Sequence, residues 1–178
     1  MSDDVASILT RIAMRDRSAL GLLYRQTSQK LFGLCLCILK DRGEAEDALQ
    51  EIFVKIWQNA DRFNATGHRA MAWLNAIARY HCIDKLRSRG PVTQDIDDAW
   101  DVADTSLDPE QTTSLRSEGK RIDRCMEELE AIRARAVRQA YVEGASHQEL
   151  AESLGVPLNT VRTWLRRSLL TLRECMER

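Results

Sequence analysis

The stretch from Ser146 to Arg173, SHQELAESLGVPLNTVRTWLRRSLLTLR, decides how this chain is read. Ser146 is a helix N-cap, and Glu149 three residues on can reach back to the Ser146 N–H, so a capping box opens a first short helix. Leu150, Ala151 and Leu154 form its apolar stripe. Gly155 supplies the backbone freedom of a turn, and Pro157 stands where a second helix can begin without a donor. In that helix Val161, Trp164, Leu165, Leu169 and Leu172 recur at three- and four-residue spacing, which turns Asn159, Arg162, Thr163, Arg166 and Arg167 toward solvent. From Ser153 to Arg173 there are four arginines and no acid. The pattern is a helix-turn-helix whose second helix can approach phosphates and base edges in a major groove. The plainer alternative is a helical hairpin with a solvated charged face. Capping box, glycine turn and acid-free helix occurring together favour DNA.

Working outward, the net charge of -1 over 178 residues hides an asymmetry. Residues 1–89 balance to +4 and residues 116–178 to +2, while residues 90–115 carry seven acids and no base. Two mildly basic domains joined by a polyanionic connector follow from that distribution. No apolar run approaches the roughly 18 residues of a membrane span, and the start, MSDDVASILTR, is acidic where a signal peptide would be basic. The expectation is a cytoplasmic protein with no stable membrane insertion. Its five cysteines, Cys35, Cys37, Cys82, Cys125 and Cys175, are then most simply small buried hydrophobes kept reduced. Cys125 and Cys175 form a possible redox pair, since packing of the second domain could bring their helices together.

Helical periodicity runs through residues 1–89, and nothing there alternates like a strand, so the fold class is all-α. A short helix is expected from Val5 to Met14. A long one follows, capped by Asp16 or Ser18, with Leu20, Leu23, Tyr24, Leu31, Leu34, Cys35 and Ile38 inward and an end near Asp41 to Gly43. Glu44 to Asn59 forms the next, with Ala45, Ala48, Leu49, Ile52, Phe53 and Ile56 facing the core. Its other side, Asp47, Gln50, Glu51, Val54 and Trp57, is a mixed acidic and apolar surface suited to docking a protein. After a loop over 61–67, a helix from about His68 to Arg87 packs Trp73, Leu74, Ile77, Ala78 and Leu86 inward. It leaves Arg69, Arg79, Tyr80, His81, Lys85, Arg87 and Arg89 as a basic face with rings among the charges. Cations for a phosphate backbone and flat rings for unpaired bases are the ingredients of single-strand binding.

Gly90-Pro91 stops that helix, and about 25 residues without a sustained period follow, carrying Trp100, Val102 and Leu107. Helices resume near Ser114. Leu115, Ile122, Cys125, Met126 and Leu129 mark one, and Ile132, Ala136, Val137, Ala140 and Tyr141 another, so the second domain is a four-helix unit. There is no Gly-rich phosphate loop, nucleophile elbow or metal-ligand spacing; Cys35 and Cys37 point to different sides of a helix, and His68, His81 and His147 are scattered. No catalytic residues, metal or cofactor are expected.

Three segments, EDALQEIFVKIWQNADRF (46–63), WLNAIARYHCIDKLRSR (73–89) and ELAESLGVPLNTVRTWLRRSLLTLRE (149–174), resemble regions 2 and 4 of the extracytoplasmic-function, or group IV, sigma factors of bacterial RNA polymerase. The resemblance spans nearly the whole chain. It implies a sigma region 2 bundle over 1–89, an acidic flexible linker over 90–113 and a sigma region 4 helix-turn-helix domain over 114–178. Implied partners are core RNA polymerase, promoter DNA and an anti-sigma factor. Asp47, Gln50, Glu51, Phe53, Val54 and Trp57 would bind core polymerase. The loop 61–68, including Asn64, would pocket a flipped base, and Asn75, Arg79, Tyr80, Asp84 and Arg87 would hold the opened minus-10 element. Asn159, Thr160, Arg162, Thr163, Arg166 and Arg167 would read the minus-35 duplex. An oxidised Cys125–Cys175 bridge would tune anti-sigma binding. Two positions depart from the family pattern: Trp164 stands where most members have a basic residue, and Leu129-Glu130 replaces a common Leu-Pro. The rival reading is a homodimeric helix-turn-helix repressor or activator that recognises a palindrome without polymerase.

Overall fold

A computed structural model describes residues 4–64, 69–89 and 109–178, with side chains from residue 117 onward in the last segment. All regular structure among the described residues is helical, and the chain divides into two compact units. The first holds α1 (Val5–Ala13), α2 (Arg17–Leu39), α3 (Arg42–Asn59), a 3-10 turn (Ala60–Arg62) and α4 (Ala70–Ser88). The second holds α5 (Pro109–Glu127), α6 (Ala131–Tyr141), α7 (His147–Leu154) and α8 (Leu158–Glu177).

In the first unit α2 is the central post, packed against α1, α3 and α4. Leu23, Thr27, Leu31, Cys35 and Ile38, spaced about one turn apart, make its buried stripe. Thr27 is tolerated there because its hydroxyl donates to the Leu23 carbonyl at 2.8 Å. Ala45, Ala48, Leu49, Ile52, Phe53 and Ile56 of α3 are buried as expected. Tyr24, expected inward on α2, lies about half exposed and tilted against the Phe53 ring at 4.9 Å.

The helix ends explain the boundaries. Asp16 caps α2 by accepting the Ser18 N–H at 2.9 Å and pairs with Arg11 at 2.9 Å. α2 stops earlier than its apolar pattern suggests because Lys40 adopts a left-handed conformation, and Asp41 then caps α3 by accepting the Glu44 N–H at 2.8 Å. The turn between these long helices is therefore two residues, Lys40 and Asp41.

In the second unit α8 is the spine against which α5, α6 and α7 pack. Ala136, Val137, Ala140, Leu150, Ala151, Val161 and Leu165 form its core. The capping box is present: Ser146 Oγ accepts the Glu149 N–H at 3.2 Å and Glu149 accepts the Ser146 N–H at 2.6 Å. Gly155 closes α7 at φ +64°, a conformation that a side chain would strain. α5 begins at Pro109, inside the stretch read as linker, with proline at the first helical position where its missing donor costs nothing. The Leu129-Glu130 departure falls in the short break between α5 and α6, with Glu130 as an N-cap that lacks a side-chain cap bond. Trp164 is half-buried, whereas Leu169 and Ile122, expected inward, are 40% and 49% exposed. The α8 stripe runs 161, 165, 168, and Leu169 falls just off it. Trp100, Val102 and Leu107 lie outside the described residues, as does the side chain of Leu115.

Asp16 supplies a test of this end-capping. Its carboxyl, hydrogen-bonded first by the Ser18 hydroxyl and then by Arg11, is lowered from 3.8 to about 2. A carboxylate whose pKa falls on folding stabilises fully above its unfolded value and loses that contribution as protons are taken up. Thermal unfolding of the wild type should therefore weaken progressively from about pH 3.8 down to about 2. Asp16→Asn, which removes the titrating group, should flatten that limb; an unchanged acid limb would contradict the assignment.

Candidate nucleic-acid and protein interfaces

Three exposed faces gather the residues singled out in the sequence. On α3, Asp47, Gln50, Glu51 and Val54 are exposed, with Val54 at 55%, and Trp57 is half-buried at the helix end. Phe53 is buried, as its core-facing position in α3 predicts, and so differs from the other residues assigned to this face. The period that puts it beside Val54 in sequence also turns it into the core, where it is 6% exposed beneath Tyr24, so it supports this face from behind. Trp57 is held by a residue the sequence reading passed over. Arg15, at φ +66° between α1 and α2, donates from Nη1 to the Trp57 carbonyl at 3.0 Å and stacks its guanidinium 5.6 Å from the indole centroid. One side chain thus satisfies a C-terminal carbonyl of α3 and fixes the ring above it.

On α4, Asn75, Tyr80, Asp84 and Arg87 are exposed, Tyr80 at 62%, and Arg79 lies with its guanidinium 5.5 Å from the Tyr80 ring. Asn64 is exposed just beyond the 3-10 turn. The remainder of the proposed base-pocket loop, residues 65–68 with His68, lies outside the described residues. A groove of about 310 Å³ runs between the end of α3 and α4, lined by Lys55, Asn59, Arg62, Trp73, Ile77, Tyr80, His81 and Asp84. Rings, amide and cations converge there, a lining suited to an unpaired base and its phosphate. Trp73 is steadied by Phe63 at 5.5 Å between centroids.

His81 is a correction. Expected on the basic face, it is 6% exposed because it continues the buried stripe of Leu74, Ala78 and Cys82. Its Nε2 lies 2.8 Å from Glu51 Oε2, a close approach without the alignment of a full hydrogen bond, and Lys85 Nζ sits 3.0 Å from Glu51 Oε1. Lys85 holds the Glu51 carboxyl below its ordinary pKa. Burial, followed by the Lys55 charge, pushes the His81 pKa down against the opposing pull of Glu51. The cluster crosses from α3 to α4, so no local spacing announces it; the period 74, 78, 81 alone could have placed His81 inward.

On α8, Asn159, Arg162, Thr163, Arg166 and Arg167 are exposed along one side and Thr160 is half-buried. Thr163 donates its hydroxyl to the Asn159 carbonyl at 2.8 Å, and both residues are exposed. A shallow apolar groove of about 470 Å³ beside Leu169 and Leu170 is edged by Arg162, Arg166 and Arg173.

The cysteines split. Cys35 and Cys82 are buried, and their shared hydrogen bond helps to hold the Cys35 thiol far above its usual range. Cys37 is exposed, against the expectation of burial, because it stands off the α2 stripe. Cys125 and Cys175 are joined as a disulfide with 5.8 Å between Cα atoms, and Glu128 pairs with Arg178 at 2.5 Å across the same two helices. Among the described residues no group of three or more His, Cys, Asp or Glu side chains is placed to hold a metal ion, and no helix is long and apolar enough to cross a membrane.

Comparison with known proteins covers both units. Residues 23–91 match Sigma-70 region 2 and residues 119–172 match Sigma-70, region 4. The ECF RNA polymerase sigma factor SigK of Mycobacterium bovis is 28% identical over 186 residues, spanning 99% of this chain and 96% of that protein. SigK of Mycobacterium ulcerans is 28% identical over 185 residues, spanning 99% and 95%. The solved structure of Rhodobacter sphaeroides SigE in complex with the anti-sigma ChrR is similar with a TM-score of 0.51 at 25% identity, covering 95% of this chain and 98% of that one.

The cysteine geometry is open to direct counting. Protein purified without reductant and unfolded in denaturant should titrate three thiols, those of Cys35, Cys37 and Cys82, out of five cysteines. Five would mean that the bridge between α5 and α8 does not form.

Proposed function

Because the chain belongs to the extracytoplasmic-function group of the sigma-70 family, we propose a division of labour among its faces: docking on α3, strand capture along α4, duplex reading on α8. As a sigma factor it binds core RNA polymerase and directs initiation at promoters, and it is not an enzyme. The observation that carries the reading is the presence of regions 2 and 4, in that order, on one chain whose match to SigK runs nearly end to end.

In this assignment residues 1–89 form the polymerase and minus-10 domain, 90–113 the acidic linker, and 114–178 the minus-35 domain. Asp47, Gln50, Glu51, Val54 and Trp57 meet core polymerase, with Phe53 beneath them. Asn64, Asn75, Arg79, Tyr80, Asp84 and Arg87 hold the opened minus-10 element; Tyr80 and Asp84 line the groove between α3 and α4, where an unpaired base stacks on aromatic rings and offsets the few kcal/mol of unstacking. Because that stacking is available only to an extruded base, it favours the open promoter over the closed one. Asn159, Thr160, Arg162, Thr163, Arg166 and Arg167 enter the minus-35 major groove, where each bidentate base contact is worth about 1–3 kcal/mol.

The acidic linker suits a path normally taken by nucleic acid. SigE of Rhodobacter sphaeroides is bound by the anti-sigma ChrR, and control by an anti-sigma factor that covers the polymerase-docking surfaces is the matching regulation here. Closing a loop of 50 residues, the Cys125–Cys175 bridge should stabilise the second unit by about 2–4 kcal/mol and make its α5–α8 surface, and with it anti-sigma affinity, sensitive to reductant. Polymerase works in the cytoplasm, and so does this chain.

Run-off transcription with bacterial core polymerase, on promoter DNA from the gene's own upstream region, tests the whole assignment. Specific initiation should require the protein and should fall about 5- to 150-fold with Arg162→Ala, the loss of one bidentate contact. Trp57→Ala should lower it by weakening polymerase binding instead. Tight binding to a palindrome by the protein alone, without initiation, would return the case to a dimeric repressor. The small positive balances of the two domains, +4 and +2, also predict weak DNA binding by the free protein at physiological salt. A gel shift showing tight promoter binding without polymerase would contradict that.

A further inference from the structure

The cluster that joins α3 to α4 has a role that rests on the docking face proposed above. Glu51 stands one turn from both Asp47 and Val54, in the middle of that face, and each of its carboxylate oxygens is approached from α4. His81 and Lys85 are themselves one turn apart, so they present Nε2 and Nζ in line along α4, at 2.8 and 3.0 Å from the two oxygens. His81 also lines the groove beside Trp73 and Tyr80. One imidazole therefore borders both the groove for the unpaired base and the carboxylate on the docking surface.

We propose that His81 and Lys85 are positioning residues that hold the Glu51 carboxylate ready for core polymerase, so that the helix capturing promoter DNA also sets the geometry of the docking face.

The physical gain is preorganisation. A glutamate free on a helix surface samples many rotamers, and a partner that binds it must freeze them, which costs a factor of about 2 to 12 in affinity for one rotamer-rich side chain. Two contacts from α4 pay that cost during folding. Glu51 is still 52% exposed in its side chain, so a partner can reach it while it is held. His81 is buried in the packing of α4, so the carboxylate is held against a fixed helix. A purely structural ion pair would instead add stability to the first unit without touching polymerase affinity.

A double-mutant cycle on the full chain separates the two. Labelled protein would be titrated with bacterial core polymerase and its melting temperature measured alongside. Lys85 carries the test because it is partly exposed and its replacement leaves the buried core intact, whereas His81 variants are read only as support. Glu51→Gln and Lys85→Met should each weaken core binding about 3- to 10-fold, and the double variant should bind no worse than the weaker single. Lys85→Arg, which still donates to the carboxylate, should keep most of the affinity. Unchanged binding by Lys85→Met, or a loss that multiplies with that of Glu51→Gln, overturns the positioning role. If Glu51→Gln binds normally while Val54→Asp does not, the positioning role alone is wrong; if Val54→Asp also binds normally, the docking face itself is wrong.

Discussion

The packing of α4 against α2 and α3 is the constraint on which the first unit depends. Leu74, Ala78, His81, Cys82 and Ile83 are buried, and Ala70, Met71, Trp73, Ile77 and Leu86 pack partly buried around them, so most of the helix is engaged with the core. Ala78 and Cys82 are small, which lets α4 lie close to its neighbours. Asn75, Tyr80, Asp84 and Arg87 are among the few α4 residues left exposed. The groove between α3 and α4 follows from the same packing, since the end of α3 must stand off far enough to seat Trp73 and Ile77.

The second unit solves a different problem. About 60 residues bury a modest core, and α8 must give one side to that core while offering the other to a partner. Val161 and Leu165 anchor its first half beneath the helix-turn-helix. Farther along, the apolar contacts thin out, and Leu169 and Leu170 stand in the open. The Cys125–Cys175 bridge and the Glu128–Arg178 pair take over there, so covalent and ionic ties supply what a thin core does not.

Much of this was legible in the sequence, and the exceptions share a cause. Helical period located each α-helix among the described residues, though not the true start of α5, and most of the buried residues, because a stripe repeating at 3.6 residues is a property of one segment alone. The capping box and the Gly155 turn were equally local and equally readable. What escaped needed knowledge of a neighbour. Whether Leu169 is covered depends on how far α5 and α6 extend over α8. Glu51 meets His81 and Lys85 across 30 residues of chain or more, and no periodicity within α3 or α4 encodes that meeting. Phe53 was ambiguous for a related reason: on a helix with partners on two sides, an apolar residue at the border satisfies either face until Tyr24 is seen to cover it.

Arg15 shows how two kinds of selection can pull on one position. Its left-handed backbone would suit glycine or asparagine better, and the strain of a bulky residue there is on the order of 1 kcal/mol. A chain drifting under pressure for stability alone would tend to exchange it. Such an exchange would relax the elbow between α1 and α2 while uncovering the Trp57 ring and releasing the carbonyl at the end of α3. A stabilising substitution and a functional lesion would then be the same event, so attempts to make this protein more robust by idealising its turns should spare this one.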